Sequence, residues 1–415
     1  MAHINDLPYE ILVKIFLEFL KTESQFYLFH KVAKTCLYWS KVCMDASLWH
    51  VYDGTLSFQT LQMFCEEGYL KNVETFSFSE NKTAVTREDL KLIYSNLPNV
   101  RCINFSNVRN ELQRTKCFFI SELQNHCLKL NEIIINEQST CHNCVLKTSL
   151  FNDFIDFRGP KLVSLDFSNL CVSNVKGLFL IIASSCRNLE HLKVQNLSPE
   201  STSKFFPIEI MQEGLKKLQV LCLGSPVILK SNKSLKTNGF PALEIFTHPS
   251  RCNLYIHDFC FKRLLMKSPN LKILDIRGCM LLTVEALCAL PTSNLERLYV
   301  SYTKLYTSLN FMEVLRKWGH SLEVLDFSKL KGSIINDHFT SVISSGNLRN
   351  LESLYISNTS VTISTVRLII ENCPKLNFLQ LESCRELDRG CKRAHQGKIA
   401  LKKLLSKLAD NMDTT

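Results

Sequence analysis

Cys141 and Cys144 flank His142 and Asn143 and give the chain its one spacing suited to a metal. A tetrahedral zinc site needs four ligands, commonly supplied as two such pairs. The nearest further candidates are Cys117, His126 and Cys127, and no second pair at this spacing completes a set. The segment is therefore expected to be a loop with two ordinary thiols, with no metal and no other cofactor. Zinc beside a cleft would be the only route to an enzymatic reading. Phosphate-cradling glycine loops, the nucleophile-elbow serine and the paired-histidine helix are all missing. With eighteen cysteines, a thioester-forming thiol has to be considered. Such a thiol needs a base close by, and no cysteine has a neighbouring His and acid outside the repeated slots described below. The sequence offers no catalytic residue.

Composition narrows the remaining classes. The chain has 415 residues, 46% hydrophobic and 21% charged. That is enough apolar material for a large core in two or three units. No apolar run approaches the roughly 18–20 residues that cross a bilayer, so no membrane partner is expected. The first residues lack the basic and apolar segments of a secretory signal. The expected location is cytoplasm, nucleus or both, where cysteines stay reduced. Net charge is +10, but residues 385–407 hold eight Lys or Arg against two acids, so the body is close to balanced. Nucleic acid is accordingly not the expected partner.

The elements that would position a surface are visible as a repeat. A six-residue frame with apolar residues at its first, fourth and sixth positions recurs along the chain. Clear copies are Leu162/Leu165/Phe167, Leu189/Leu192/Val194, Leu271/Leu274/Ile276 and Leu295/Leu298/Val300, then Leu322/Leu325/Phe327, Leu351/Leu354/Ile356 and Leu376/Leu379/Leu381. Looser copies begin at Val73, Val100, Leu130, Leu218 and Leu243. The mean interval of about 27.5 residues lies in the leucine-rich-repeat range of about 20–29, although two intervals exceed it. The end of each frame reads as a short strand with alternate residues inward. Between frames lie helical patterns such as Val284, Leu287 and Leu290. A strand and a helix cannot close a core alone, whereas stacked copies can. The expected fold is α/β: a curved leucine-rich-repeat solenoid of about twelve repeats, with a parallel concave sheet and helices outside.

Cys127, Cys186 and Cys373 each precede a frame by three residues, and Cys279 and Cys384 each follow one by three. Recurrence at fixed slots marks them as small buried side chains. They resemble the cysteine-containing subtype of leucine-rich repeat, a type joined to F-boxes.

The first fifty residues lack the frame. Leu7 and Pro8 open a helix whose Ile11, Leu12, Ile15, Phe16, Phe19 and Leu20 form a wide apolar face. A second helical stretch holds Leu28, Phe29, Val32 and Ala33, and a third runs from Trp39 through Val42 to Leu48 and Trp49. So much apolar surface on three short helices implies that another protein covers part of it. These blocks, Leu7 to Phe16, Val32 to Trp39 and Asp45 to Trp49, resemble an F-box. The alternative is an N-terminal helical cap on the solenoid. The resemblance implies that Leu7, Pro8, Ile11, Leu12 and Ile15 dock on a Skp-family adaptor, with Trp39 near the interface. The chain as a whole resembles the F-box and leucine-rich-repeat family. It divides as residues 1–50 F-box, 51–72 helical linker or cap, 73–390 repeats and 391–415 basic amphipathic cap or tail. The tail carries Leu401, Leu404, Leu405 and Leu408 at helical spacing.

Family membership would make the chain the substrate-recognition subunit of a Skp–cullin–F-box ubiquitin ligase. The cullin and RING subunits would then be reached through the adaptor, with thioester chemistry left to the conjugating enzyme. The target protein is unknown. Strand alternation turns the fifth frame position to the concave face, which gives Asp275, Tyr299, Asp326, Tyr355 and Gln380 at about 4.8 Å intervals. Flanking outward positions add Arg277, Arg297 and Phe378. This surface either recognises the target or only solvates the sheet. The alternative function is a scaffold that binds protein or RNA without ubiquitylation.

Overall fold

The computed structural model describes residues 4–78, 86–106, 122–136, 145–146, 148–199, 205–250, 256–305, 310–329 and 334–410. Cys141 and Cys144 lie outside them. The chain forms two compact units, Met1–Leu189 with Leu197–Ser203, and Glu190–Asn196 with Lys204–Thr415.

In the first unit, helix Tyr9–Phe19 begins at Pro8, whose φ of −55° suits a helix entry. A short helix, Gln25–Tyr27, continues into a wider π-helical turn, Leu28–Val32. Helix Leu37–Cys43 follows, capped by the Cys36 sulfur, which accepts from the Trp39 N–H at 3.4 Å. A 3₁₀ turn, Ala46–Trp49, starts at Asp45, whose carboxylate accepts from the Ser47 N–H. Leu12, Leu28, Val42, Cys43 and Trp49 are fully buried between these elements. The Trp49 indole N–H donates to the Cys43 carbonyl at 3.0 Å.

The helices lead directly into the repeats. Phe29 and Trp49 both pack edge-on against Phe64 of helix Phe58–Glu66. Strand Val51–Tyr52 pairs in parallel with Thr75–Ser77, stacking the Tyr52 ring on Phe76 at 4.8 Å. The segment expected as a helical linker therefore also supplies a strand. Further parallel strands follow at Cys102–Asn104, Glu132–Ile134 and Ser164–Asp166.

The second unit repeats this plan. Parallel strands occupy His191–Lys193, Val220–Cys222, Ile245–Thr247, Ile273–Asp275, Arg297–Tyr299, Val324–Asp326, Ser353–Tyr355 and Phe378–Gln380. From Thr75–Ser77 to Phe378–Gln380, the parallel strands named above fall on the third to fifth positions of a frame, with the middle residue turned inward. Leu192, Leu221, Phe246, Leu274, Leu298, Leu325, Leu354 and Leu379 have no exposed surface. Burying each contributes about 1.5–3 kcal/mol. Helices return the chain between strands, among them Phe311–Trp318, whose Trp318 indole donates to the Thr292 carbonyl at 3.0 Å.

A turn of one form follows seven of the frames. Asn169, Asn196, Tyr302, Lys329, Asn358 and Ser383 each lie two residues past a frame and have positive φ. Gly278 holds the same slot at φ +75°, and a Cβ there would meet the Ser250 carbonyl oxygen at 1.9 Å. One residue later, the thiols of Cys279 and Cys384 donate to the carbonyls of His248 and Ile356, each at the end of the preceding frame. Cys127, Cys186 and Cys373, in the slot before a frame, are buried. All described cysteines are free thiols.

The last strand, Ala394–Gln396, pairs antiparallel with Phe378–Gln380. Helix Lys398–Asp410 then covers the end of the unit with Leu401, Leu404 and Leu408 buried and Lys402, Lys403 and Lys407 in solvent. Leu404→Ala should lower stability by about 2–5 kcal/mol, the usual range for emptying a packed leucine site. Ile399→Ala, at a side chain 86% exposed, should change it by less than about 0.5 kcal/mol. Urea unfolding of the two variants checks whether this helix is packed as a cap.

Candidate docking surfaces

Helix Tyr9–Phe19 has two apolar faces, one residue apart. Leu12 and Phe16 point inward, with Phe16 edge-on to Trp39 at 5.3 Å. Ile11 and Ile15 point outward and are each 40% exposed. Pro8 is exposed and Leu7 half-buried, its carbonyl accepting from the Tyr38 hydroxyl at 3.3 Å. The Tyr9 hydroxyl donates to Asp45 at 2.8 Å and ties the helix start to the later 3₁₀ turn. Burial, aided by that carboxylate, pushes the Tyr9 phenol up to about 12.

Leu12 is therefore a core residue, and the expectation that it docks a partner is corrected. The sequence merged two adjacent helical stripes into one face, because residues 11 and 12 both recur at four-residue spacing. Trp39 is half-buried, and its indole nitrogen is enclosed without a hydrogen-bond partner. Leu37, 86% exposed at the start of its helix, was missed. Its sequence signal, a leucine directly after a capping residue, does not separate surface from core.

In the second unit, strand register places Asp275, Tyr299, Asp326, Tyr355 and Gln380 side by side in one row. The two aspartates are nevertheless turned into the fold. Asp275 is 6% exposed and accepts from the Arg277 Nε and Nη2 at 2.9 and 2.7 Å and from its backbone N–H. Asp326 is 8% exposed and accepts from the Ser328 N–H at 2.9 Å. Asp166 and Asn104 make the same bond to Ser168 and Ser106. Acidic or amide groups at this position close the turn after the strand, each bonding the backbone two residues on. The reading of Asp275 and Asp326 as free recognition groups is corrected accordingly.

What stays accessible is aromatic and cationic. Arg297 is exposed, while Tyr299, Tyr355, Phe378 and Gln380 are half-exposed. The Tyr355 and Phe378 rings lie 5.1 Å apart. The Arg277 guanidinium sits 5.4 Å from the Tyr299 ring centre. Its hydrogen bonds to Asp275 hold its pKa above the usual arginine value.

Among the described residues no cluster of His, Cys, Asp and Glu could hold a metal, and no helix is long and apolar enough to cross a membrane. Burial pushes the thiols of Cys43, Cys65, Cys102, Cys127, Cys186, Cys279 and Cys373 up to about 12. At neutral pH these groups are thiols and not nucleophiles.

Two outcomes follow. Leu12→Ala should cost about 2–5 kcal/mol of stability, while Ile11→Ala should cost less than about 1 kcal/mol; urea unfolding of both separates core from surface. The buried thiols make stability pH-dependent, since the unfolded chain ionises them near pH 9 and the folded chain only near 12. Their contribution is complete below about pH 9 and is lost as pH rises towards 12. The urea midpoint should fall across that window.

Residues 4–53 match the F-box-like domain family. The fold is similar to that of a chain in the crystal structure of the yeast Rad7 and Elc1 complex, with a TM-score of 0.54 at 15% identity. That likeness covers 92% of this chain and 89% of the other. A weaker one, TM-score 0.45 at 15% identity, covers 83% of this chain and 50% of a chain in the mouse RP105/MD-1 complex. No curated protein sequence matches. The chain thus begins with an F-box-like domain and continues as an α/β repeat fold similar to one found in the Rad7 and Elc1 complex.

Proposed function

We propose that this chain is the substrate-recognition subunit of a Skp–cullin–F-box ubiquitin ligase. The observation that carries the reading is the outer stripe of helix Tyr9–Phe19. Ile11 and Ile15, with Pro8 before them, stand half in solvent within a segment that matches the F-box-like family. A Skp-family adaptor would cover this stripe and Leu37, and through it the cullin and RING subunits would be recruited. About twelve leucine-rich repeats would hold the target protein, and the accessible Arg297, Tyr299, Tyr355, Phe378 and Gln380 are the proposed contact. Aromatic and arginine side chains are the types enriched at binding hot spots. The motifs Ser268–Cys279, Asn372–Leu376, Leu381–Cys384 and Gly390–Gly397 resemble F-box and leucine-rich-repeat protein 6, and kinship at that level is part of the proposal.

In this reading the chain has no catalytic group of its own. It raises the effective concentration of the target near the charged conjugating enzyme, in cytoplasm or nucleus. The buried, protonated thiols support a positioning role over a thioester one.

Co-purification of the full chain with a Skp-family adaptor tests this. Wild type should retain the adaptor, and Leu7→Ala/Pro8→Ala should weaken retention. Ile11→Asp/Ile15→Asp should abolish it, since each apolar contact is worth on the order of 1 kcal/mol and a buried unpaired carboxylate costs several more. Circular dichroism should show all three proteins folded. If folded wild type does not bind, the N-terminal helices are a cap and the chain is a scaffold without ubiquitylation.

A further inference from the structure

We propose that the second unit carries a docking surface for an acidic peptide segment with large apolar side chains, independent of the adaptor stripe and the strand row. It is formed by helix Asp258–Leu265 and the loop 231–239. The helix buries Phe261, Leu264 and Leu265. Its other face presents Phe259 and, two turns on, Met266, which are 43% and 48% exposed. Leu235 of the loop, whose carbonyl is bonded to Arg263 of the helix, is a third apolar side chain in solvent, 43% exposed. An apolar area rimmed by charge is a common form of protein interaction site.

The loop is irregular but firmly held. Glu209, 4% exposed, pairs with the Arg263 Nε at 2.8 Å and accepts from the Ser231 hydroxyl at 2.6 Å and the Asn232 N–H at 2.9 Å. The Arg263 Nη2 donates to the Leu235 carbonyl at 2.7 Å. The buried Gln212 amide oxygen accepts from the Thr237 hydroxyl at 2.8 Å. A surface built on such anchors is preorganised, so binding costs less ordering of the loop.

Charge decides the occupant. Glu209 is consumed by Arg263, and Asp258 by the Thr283 N–H and hydroxyl at 2.9 and 2.6 Å. Of the carboxylates on helix Ile208–Gly214, the loop and helix Asp258–Leu265, Glu213 alone is exposed. Lys233 and Lys236 are exposed and form no ion pair among the described residues. The Lys233 ammonium rests 5.0 Å from the Phe259 ring centre, so cation and apolar surface are presented together. A segment that pairs carboxylates with leucine or phenylalanine satisfies both. Single-stranded nucleic acid fits less well, because base stacking needs an open ring face. Lys233 and Arg263 already lie against Phe259, and the other exposed apolar groups are not aromatic.

The test uses the full chain and a short fluorescein-labelled peptide in which glutamate pairs alternate with leucine or phenylalanine. Anisotropy should show binding that weakens with salt. Lys233→Glu/Lys236→Glu and Phe259→Ala should each weaken it by about tenfold or more, with melting temperatures unchanged because these side chains are exposed. A polyglutamate peptide of equal length should bind more weakly than the mixed one. Bound peptide should slow hydrogen exchange across 231–239 and 258–266. The proposal is overturned if the mixed peptide does not bind wild type, or if charge reversal leaves affinity intact. It is also overturned if protection appears elsewhere, or if a labelled single-stranded oligonucleotide binds more tightly at the same salt.

Discussion

Parallel pairing of three-residue strands, each with its middle side chain turned inward, is the constraint on which the rest of the molecule depends. A strand this short cannot hold itself. It persists because backbone groups on both edges are bonded and because a leucine or phenylalanine in its centre is fully buried. Every repeat therefore relies on its neighbours, and stability accumulates through adjacent contacts. In the first unit the opening edge is met by Val51–Tyr52, with Tyr52 on Phe76. In the second unit the closing edge is met by the reversed strand Ala394–Gln396 and the helix after it.

The same constraint assigns the cysteines their work. Each strand must end in a tight turn, and the residue just after the turn faces a carbonyl of the repeat before it. A small donor satisfies that carbonyl without disturbing the core, as the Cys279 and Cys384 thiols do. Thr303 and Thr359 hold the equivalent positions with hydroxyls, each bonding the last carbonyl of its own frame instead. Burial of the Cys279 side chain in this slot pushes its thiol up to about 12.

Much of this was legible in the sequence. The frame gave the strands their positions because a period-two apolar pattern specifies which side chains point inward, and strand pairing adds no contrary demand. The helix Lys398–Asp410 was visible from Leu401, Leu404 and Leu408. Less was visible where one residue type serves two ends. Asp275 and Asp326 occupy outward positions, yet each bends back to bond the turn, and only coordinates separate a turn-closing aspartate from a recognising one. Leu12 and Ile11 differ by one helical step, and both belong to an apolar stripe. The strand Ala394–Gln396 left no pattern, since its one inward residue is His395. The lysines beside Phe259 were hidden because their loop and the helix that carries Phe259 are separate segments of the sequence, held together by the ion pair of Glu209 and Arg263.

The left-handed slot that follows seven of the frames has an evolutionary consequence. An L-residue there carries roughly 1–2 kcal/mol of backbone strain, which favours Gly and Asn. Tyr302 and Lys329 are unusual occupants, and they hold the slot in successive repeats, with the Lys329 ammonium 4.2 Å from the Tyr302 ring centre. Their mutual contact offsets part of a strain that neither offsets alone. Replacing one changes the merit of the other, so these positions are epistatic across the repeat boundary. Drift along this edge would proceed through paired exchanges between neighbouring repeats, leaving covariation as its trace.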